Sequence, residues 1–234
     1  MIKIENTEVI GWEAAIRGMR NPMNSWEKSD SEFDREPRNY FDENGTPCTD
    51  LRKFVIGPND LDLMKQLRNA GTDHRKFMRM ITVYVDITAP LYLWKEIDTY
   101  KVGTVANSCS TMHKIHAKEF TLEDFSHEHL LEKEDDMLWS TQNILDEVIM
   151  GLNHYRKKYL ETKDKKYWWQ MIQLLPSSYN QKRTVMMNYE VLANIYKSRK
   201  NHKLDEWHQF CHWIKTLPYS ELITGNLKGE TNGK

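Results

Sequence analysis

Polar side chains crowd the segment between Lys95 and His113, which directly follows an apolar run at 91–94. Ammonium, carboxylate, hydroxyl, amide and imidazole groups follow one another here, so a single loop offers both donors and acceptors of hydrogen bonds. The side chains are Lys95, Glu96, Asp98, Tyr100, Lys101, Thr104, Asn107, Ser108, Ser110, Thr111 and His113. This set suits an anionic, heterocyclic ligand such as a nucleotide, and it predicts a binding site.

The same residues also allow a purely structural interpretation. Lys95 and Asp98 are three residues apart, which is the spacing of an ion-paired helix face. The polar turn 107–111 could simply cap a helix or close a turn. Cys109 within it would serve as a nucleophile only if a nearby cation activated its thiol. The sequence leaves these alternatives open.

A basic cluster near the carboxyl end of the chain, Lys197, Arg199, Lys200 and Lys203, is the second candidate. Cations are favoured at the carboxyl end of a helix, so this cluster could be an ordinary solvated helix end. It could also contact an anionic ligand, and the sequence leaves both alternatives open.

Two further patterns favour structure over function. His208, Cys211 and His212 share a helical face but have no further ligand at a suitable spacing, so no metal site is predicted. Trp168 and Trp169 follow three lysines, and we expect their rings to pack inward rather than bind nucleic acid.

Composition sets the wider limits. The 234 residues carry a formal net charge of −1, with 39% hydrophobic and 29% charged residues, which does not favour nucleic acid or an acidic membrane surface as a partner. Three widely separated cysteines argue against a disulfide framework and for a reducing compartment. With no long apolar run and no leader-like pattern, we expect a cytoplasmic protein.

Hydrophobic spacing in the first half of the chain predicts the elements that position these residues. We expect a helix over 8–18, a long polar loop over 21–53, and a helix over 60–70 capped by Asn59. The β-branched run 78–88 is the clearest strand, after which Thr88 would cap a helix with Pro90 in its first turn. A short strand or ribbon is expected near 113–121.

The second half is predicted to be helical. Apolar faces favour helices over 134–160, 165–175, 186–199 and 203–216. The fold class is therefore α+β: one helix-rich domain over 1–224 around a small mixed or antiparallel sheet, followed by a flexible tail at 225–234.

Three separated segments resemble flavin-dependent thymidylate synthases. In that family an Ala-Pro or Ser-Arg step ends a strand, and a helix leads to Arg-His-Arg and then to a loop with a spaced serine. The corresponding residues here are Ala89-Pro90, Thr99-Tyr100-Lys101 and the turn 108–111. Downstream, Leu175-Pro176, Asn188, Leu192, Asn194 and Arg199 follow the family spacing, and His74 lies near its Gly-His-x-x-Pro-x-Glu-His motif.

This chain departs from the family pattern at positions that bind ligands or carry functional side chains in that family. Thr99-Tyr100-Lys101 replaces Arg-His-Arg, which removes bidentate recognition of phosphate by guanidinium groups. Met80 stands where a flavin-contacting histidine is usual, Cys109 where the key serine is usual, and Glu190 where the arginine of Asn-x-Arg is usual.

The resemblance implies a divergent synthase that binds dUMP and transfers a one-carbon unit to uracil C5. FAD would be the cofactor, with methylenetetrahydrofolate and NADPH as co-substrates, in a homotetramer. Arg199 would orient and polarise the uracil. The implied nucleotide-binding residues are Glu96, Lys101, Ser108, Cys109, Ser110, Thr111 and Arg199, and the implied cofactor-binding residues are His74, Thr99, Tyr100, Lys101, Asn107, Asn188 and Asn194. The alternative is a nucleotide-binding homologue without flavin chemistry.

Overall fold

The computed structural model describes residues 2–36, 38–50, 53–133 and 139–225. Its strands are β1 (Lys3–Ile10), β2 (Glu32–Phe33), β3 (Arg38–Phe41), β4 (Pro47–Asp50), β5 (Phe54–Val55), β6 (Thr82–Pro90), β7 (Thr104–Ser108) and β8 (Asn180–Asn188). Its helices are α1 (Trp12–Arg20), α2 (Pro58–Asn69), α3 (Leu91–Ile97), α4 (Thr111–Lys114), α5 (Thr141–Thr162), α6 (Lys165–Leu174), α7 (Tyr189–Arg199), α8 (Asp205–Thr216) and α9 (Glu221–Thr224).

A four-stranded sheet with the order β1-β6-β8-β7 forms the framework. Val83, Val85, Ile87 and Ala89 are fully buried on alternate positions of β6, as the period of a strand requires. The predicted α+β class, with many helices around a small sheet, is confirmed. No helix within the described ranges has the length and apolar character needed to cross a membrane.

The chain divides into two compact units, each built from separate stretches of sequence. The first contains Met1–Thr7, Tyr84–Met186 and Asn201–Phe210; the second contains Glu8–Val83, Met187–Lys200 and Cys211–Lys234. A cluster of six buried side chains, Ile115, Phe120, Phe125, Leu145, Leu152 and Met171, packs α5 and α6 against the loop after α4 in the first unit. In the second unit Met64, Met78, Ile81, Tyr189 and Leu192 are fully buried.

The predicted first helix, 8–18, is wrong at its start because β1 extends to Ile10. Gly11 then reverses the chain direction with a φ of 95°, in the left-handed region that favours glycine. A Cβ at this position would lie 2.1 Å from the carbonyl oxygen of Met80, so only glycine fits. The helix itself runs from Trp12 to Arg20.

Two other predicted segments are wrong. Residues 180–188 form the interior strand β8, so α7 begins at Tyr189 and not at 186. The ribbon expected near 113–121 is absent from that described segment, which instead begins in α4, and the strand of this region is β7.

Several boundaries also shift. Gly57, not Asn59, is the N-cap of α2, and α3 begins after Pro90 because β6 continues through Thr88. The long polar loop contains two short antiparallel ribbons, β2 with β5 and β3 with β4. The strand expected over 78–88 is observed as β6, although it begins at Thr82 because Arg75–Arg79 form a 3₁₀ helix. The helices expected over 165–175 and 203–216 are observed as α6 and α8. The helix expected over 134–160 begins only at Thr141, because Ser140 is its N-cap and accepts from the Asn143 N–H. Residues 134–138 of that expected helix, and 226–234 of the expected tail, lie outside the described residues.

Candidate functional site

The hydroxyl-rich turn between β7 and α4 borders a cleft of about 280 Å³ in the first unit. We call it the turn cleft. Besides Cys109, Ser110 and Thr111, it is lined by residues from the ends of β6 and β8 and from the loop after α4: Thr88, Lys114, Lys118, Glu123, Asp124, Tyr179, Asn180, Gln181 and Lys182. The structure therefore brings three of the predicted nucleotide-binding residues to one concave surface.

Main-chain hydrogen bonds fix the turn to strand β8. The Cys109 N–H donates to the carbonyl of Lys182 at 2.9 Å, and the side-chain amide of Gln181 donates to the carbonyl of Cys109 at 2.8 Å. Ser110 caps α4, since its hydroxyl oxygen accepts from the His113 N–H at 3.1 Å. That hydroxyl keeps its own hydrogen for donation to a ligand.

Three lysines and two carboxylates, Glu123 and Asp124, set the charge of the turn cleft. Lys118 pairs with Asp124, and Lys182 pairs with Asp86 at 3.1 Å outside the lining. The hydroxyl of Thr184, the amide of Asn6 and the ammonium of Lys182 lower the pKa of Asp86 to about 2. Lys114 adds an exposed ammonium group beside the turn. The lining itself carries three ammonium groups and two carboxylates, and of the three lysines only Lys114 lies outside these ion pairs.

Tyr179 contributes an aromatic wall. Its ring packs edge-on against Phe125 with centroids 5.7 Å apart, and burial raises the pKa of its phenol. The phenol is thus neutral and able both to donate and to accept. Tyr179 was not predicted as a site residue from the sequence, and neither were Lys114, Lys118 and Lys182. Their approach to the turn depends on long-range contacts that local sequence does not reveal.

The predicted residues at the end of α3 are mostly engaged within the first unit. Trp207 donates through its indole Nε1 to Glu96 at 2.7 Å, and Thr99 donates its hydroxyl to the Glu96 carbonyl at 2.6 Å. Tyr100 lies edge-on to Trp207, with centroids 6.3 Å apart. Lys101 and the β7 residues Asn107 and Ser108 are exposed.

The remaining predicted residues lie in the second unit. The Asn188 side chain accepts from the Val191 N–H at 2.9 Å and caps α7, whereas Arg199 is the half-buried last residue of that helix. His74 is exposed and precedes the 3₁₀ helix at Arg75–Arg79. Asn194 accepts from Arg75 at 3.5 Å.

One of the departures from the family motifs, Glu190, lies in a cluster of ion pairs. Arg79 and Glu190 form a salt bridge in the second unit, and Arg75 joins it with Nε 3.1 Å from the Glu190 carboxylate. Burial alone would raise the pKa of Glu190, but the hydrogen bonds from both guanidiniums hold it below its usual value. The contact between Arg79 and Glu190, which are 111 residues apart in the chain, was not predicted from the sequence.

No family model matches this chain, and no curated protein matches it in sequence. Solved structures do match, and they show the fold of the flavin-dependent thymidylate synthases and of a related nucleotide methylase. The resemblance predicted from the motifs is therefore confirmed at the level of the fold.

Two solved proteins illustrate the likeness. Flavin-dependent thymidylate synthase ThyX from Helicobacter pylori, complexed with FAD and dUMP, has a TM-score of 0.65 and 15% identity, covering 97% of this chain and 100% of its own. The UMP/dUMP methylase PolB from Streptomyces cacaoi, bound with 5-Br UMP, has a TM-score of 0.58 and 13% identity, covering 96% of this chain and 94% of its own.

The residues predicted to hold FAD do not fit its diphosphate in the way that the resemblance implies. No guanidinium stands at 99–101, and Thr99, Tyr100 and Asn188 already serve the fold. Only Lys101 supplies a positive charge in that triplet, as a point charge without bidentate geometry.

Proposed function

We propose that this chain binds a uracil nucleoside monophosphate, with dUMP as the first candidate, and that the turn cleft holds its phosphate. The single observation that carries the proposal is the convergence of the Ser110 and Thr111 hydroxyls with the lysines of the turn cleft on one concave surface. Hydroxyl donors and ammonium groups are common ligands of phosphate oxygens, and charge-assisted hydrogen bonds are the stronger ones.

The polar wall of the turn cleft suits the base as well. The Asn180 side-chain oxygen accepts from the Ser126 hydroxyl at 3.2 Å, which orients the amide and leaves its NH₂ group to donate to a uracil carbonyl. Tyr179 offers an aromatic edge together with a neutral phenol. Gln181 is occupied by Cys109 and by Arg183 at 3.0 Å, so its role is to position the turn.

The activity proposed with this binding is methylation of uracil C5, as the motif resemblance implies. It is supported by the likeness in fold, over nearly the whole chain, to a protein complexed with FAD and dUMP and to a UMP/dUMP methylase. The motif resemblance implies that Arg199, which lies in the second unit, orients and polarises the uracil ring; this role stays a prediction, and no protein nucleophile is required. Because residues 99–101 do not fit the FAD diphosphate, we assign no step to a flavin; the resemblance also implies methylenetetrahydrofolate as the carbon donor, NADPH as the reductant and a homotetramer.

A second candidate is a nucleotide-binding protein that lacks flavin chemistry. The specific observation in its favour is the engagement of Thr99 and Tyr100 within the fold, at a triplet that contains no arginine. This candidate keeps the turn cleft and its nucleotide but not the redox reaction.

One set of measurements separates the candidates. Purified protein is assayed for bound flavin by its visible absorbance before and after incubation with FAD, and for dUMP binding by calorimetry and thermal shift. Bound flavin and dUMP-dependent methylation support the synthase, whereas colourless protein stabilised by dUMP supports the binding protein.

A matched pair of variants tests the location of the site. Thr111→Val with Lys114→Gln should weaken dUMP binding at least about tenfold, because one hydroxyl and one ammonium are lost. The control Thr162→Val with Lys158→Gln changes the same residue types on α5, outside the turn cleft. Equal affinity for dUMP in both double variants would remove the turn cleft from the proposal.

A further inference from the structure

A second cleft, of about 350 Å³, lies in the first unit and plays no part in the proposed function. We call it the α5–α6 cleft. Its lining comes from α4 and the residue two after it, from the end of α5, and from the start of α6: Met112, His113, His116, Tyr159, Lys163, Lys165 and Trp168. The volume falls near the lower end of the range of about 300–1,000 Å³ that small-molecule sites occupy.

The charge of this cleft is one-sided. Two lysines and two imidazoles line it, and no carboxylate stands among the described lining residues, in contrast to the turn cleft. Lys163 lies 5.8 Å above the Tyr159 ring, and Lys165 lies 5.7 Å above the ring of Trp169. A cleft lined by one sign of charge concentrates ligands of the opposite sign.

Aromatic rings form the other part of the lining. The His116 and Tyr159 rings meet edge to face with centroids 4.9 Å apart. Trp168 is fixed in place because its indole Nε1 donates to the Met112 carbonyl at 3.2 Å, and its ring also packs against the buried core of the first unit. Trp168 therefore packs inward as predicted, whereas Trp169 is 43% exposed. Fixed rings of this kind offer surfaces on which a planar base stacks.

His116 also has an unsatisfied polar atom. Its Nδ1 is buried and finds no hydrogen-bond partner within the described part of the chain. Buried polar atoms in folded proteins nearly always have a partner, in the protein, in water or in a ligand. Because this atom is inaccessible to solvent, a ligand in the cleft would reach it only after a shift of the imidazole ring, and the inference rests on the charge and the rings of the lining.

We propose that the α5–α6 cleft is a second binding site for a nucleoside monophosphate, distinct from the turn cleft. The base packs against the rings of Tyr159 and Trp168, and the phosphate meets the ammonium groups of Lys163 and Lys165. A free mononucleotide fits better than a nucleic-acid strand, because binding a strand requires a basic groove that follows many phosphates.

The test uses the full chain with dUMP as the probe, titrated by calorimetry at low ionic strength. The Lys163→Gln/Lys165→Gln double variant should lose one of two binding events, with affinity at that site reduced at least about tenfold. The control Lys157→Gln/Lys158→Gln makes the same change of net charge on exposed α5 residues and should keep both events. Thermal unfolding of each variant verifies that the fold is retained.

The outcomes separate this inference from the proposed function. If Thr111→Val/Lys114→Gln removes one event and Lys163→Gln/Lys165→Gln removes the other, both sites stand. If a single event is seen and only the lysine pair removes it, the α5–α6 cleft stands and the turn cleft fails. A single event removed only at the turn cleft overturns the inference. The inference is also overturned if the control Lys157→Gln/Lys158→Gln loses as much dUMP affinity as Lys163→Gln/Lys165→Gln. It is overturned as well if a thymidine oligonucleotide binds at Lys163 and Lys165 and dUMP does not displace it.

Discussion

Gln181 holds Cys109 in place: its side-chain amide donates to the Cys109 carbonyl at 2.8 Å, while its own oxygen accepts from Arg183 at 3.0 Å. Gln181 is almost completely buried, with 8% of its surface exposed. The position of the turn between β7 and α4 therefore depends on a side chain of strand β8.

Gln181→Ala should release this turn. We expect a loss of about 1 kcal/mol in the free energy of unfolding, because the Cys109 carbonyl and the Arg183 guanidinium each lose a partner in a part-buried hydrogen bond, together with weaker dUMP binding. Urea denaturation and calorimetry measure the two effects. Gln170→Ala, on an exposed position of α6, serves as the control. Unchanged dUMP affinity in a destabilised Gln181→Ala would show that the turn does not contact the nucleotide.

Exchanging the charges of Arg79 and Glu190 tests whether their salt bridge stabilises the fold. Glu190→Arg should destabilise the chain by roughly 3 kcal/mol, since it places a guanidinium beside Arg75 and Arg79. Arg79→Glu combined with Glu190→Arg should recover part of that loss, although Arg75 still faces the new arginine. The free energy of unfolding of the two single variants and the double variant forms a thermodynamic cycle. Additive losses would show that the salt bridge does not stabilise the fold.

The buried pair of Arg20 and Asp60 should be essential for the second unit. Asp60 is fully buried and accepts from Arg20 at 2.6 Å and from the hydroxyls of Ser29 and Ser31, each at 2.6 Å. Asp60→Ala should lower the free energy of unfolding by about 3–5 kcal/mol, because a buried guanidinium loses its counter-ion. Asp62→Ala, two residues further along α2 and exposed, should change it by less than about 0.5 kcal/mol in the same denaturation experiment.

Asp86 predicts part of the acid sensitivity. Its folded pKa of about 2 lies below the ordinary value of 3.8, so the charged carboxylate stabilises the folded chain. That contribution is complete above about pH 4 and disappears as the pH falls through about 2. Asp86→Asn should therefore flatten the dependence of the unfolding temperature on pH in this window. Parallel pH profiles for the variant and the unmodified chain would contradict this account.

Arg199→Ala tests the predicted catalytic residue. We expect dUMP affinity to fall about tenfold without unfolding, since a charged hydrogen-bond donor is removed from the surface end of α7. Lys200→Ala, the adjacent exposed cation, is the matched control. If the two variants bind dUMP equally well, Arg199 is not part of the nucleotide site.

Local sequence predicted the elements whose signals are local. The β-branched run of β6 and the apolar faces of α6 and α8 were correctly assigned, because periodicity alone defines such segments. Strand β8 was missed, since Asn180, Gln181, Lys182 and Arg183 make its first half polar although it lies inside the sheet. The buried side chain of that half, Gln181, is satisfied by hydrogen bonds, whereas Val185 and Met187 of the second half are buried in the core.

The lining of the turn cleft, like the fold, could be predicted from the sequence only where the signal is local. The turn Cys109–Thr111 was identified because its polar residues are adjacent in sequence. Lys182 and Tyr179 were missed because only the pairing of distant strands and loops brings them to it. Glu96 was predicted to bind the nucleotide from its residue type, and Thr99 to bind the cofactor from the motif resemblance. In the structure both make hydrogen bonds within the fold.

Helix α4 is a single turn of four residues, and both clefts use it. Thr111 and Lys114 line one cleft, whereas Met112 and His113 line the other. So short a segment has little internal rigidity, and a ligand that reorients it from one side must alter the opposite wall as well. The two clefts therefore share one structural element. If a ligand in one cleft changes the binding affinity of the other cleft, the second ligand changes the affinity of the first by the same factor.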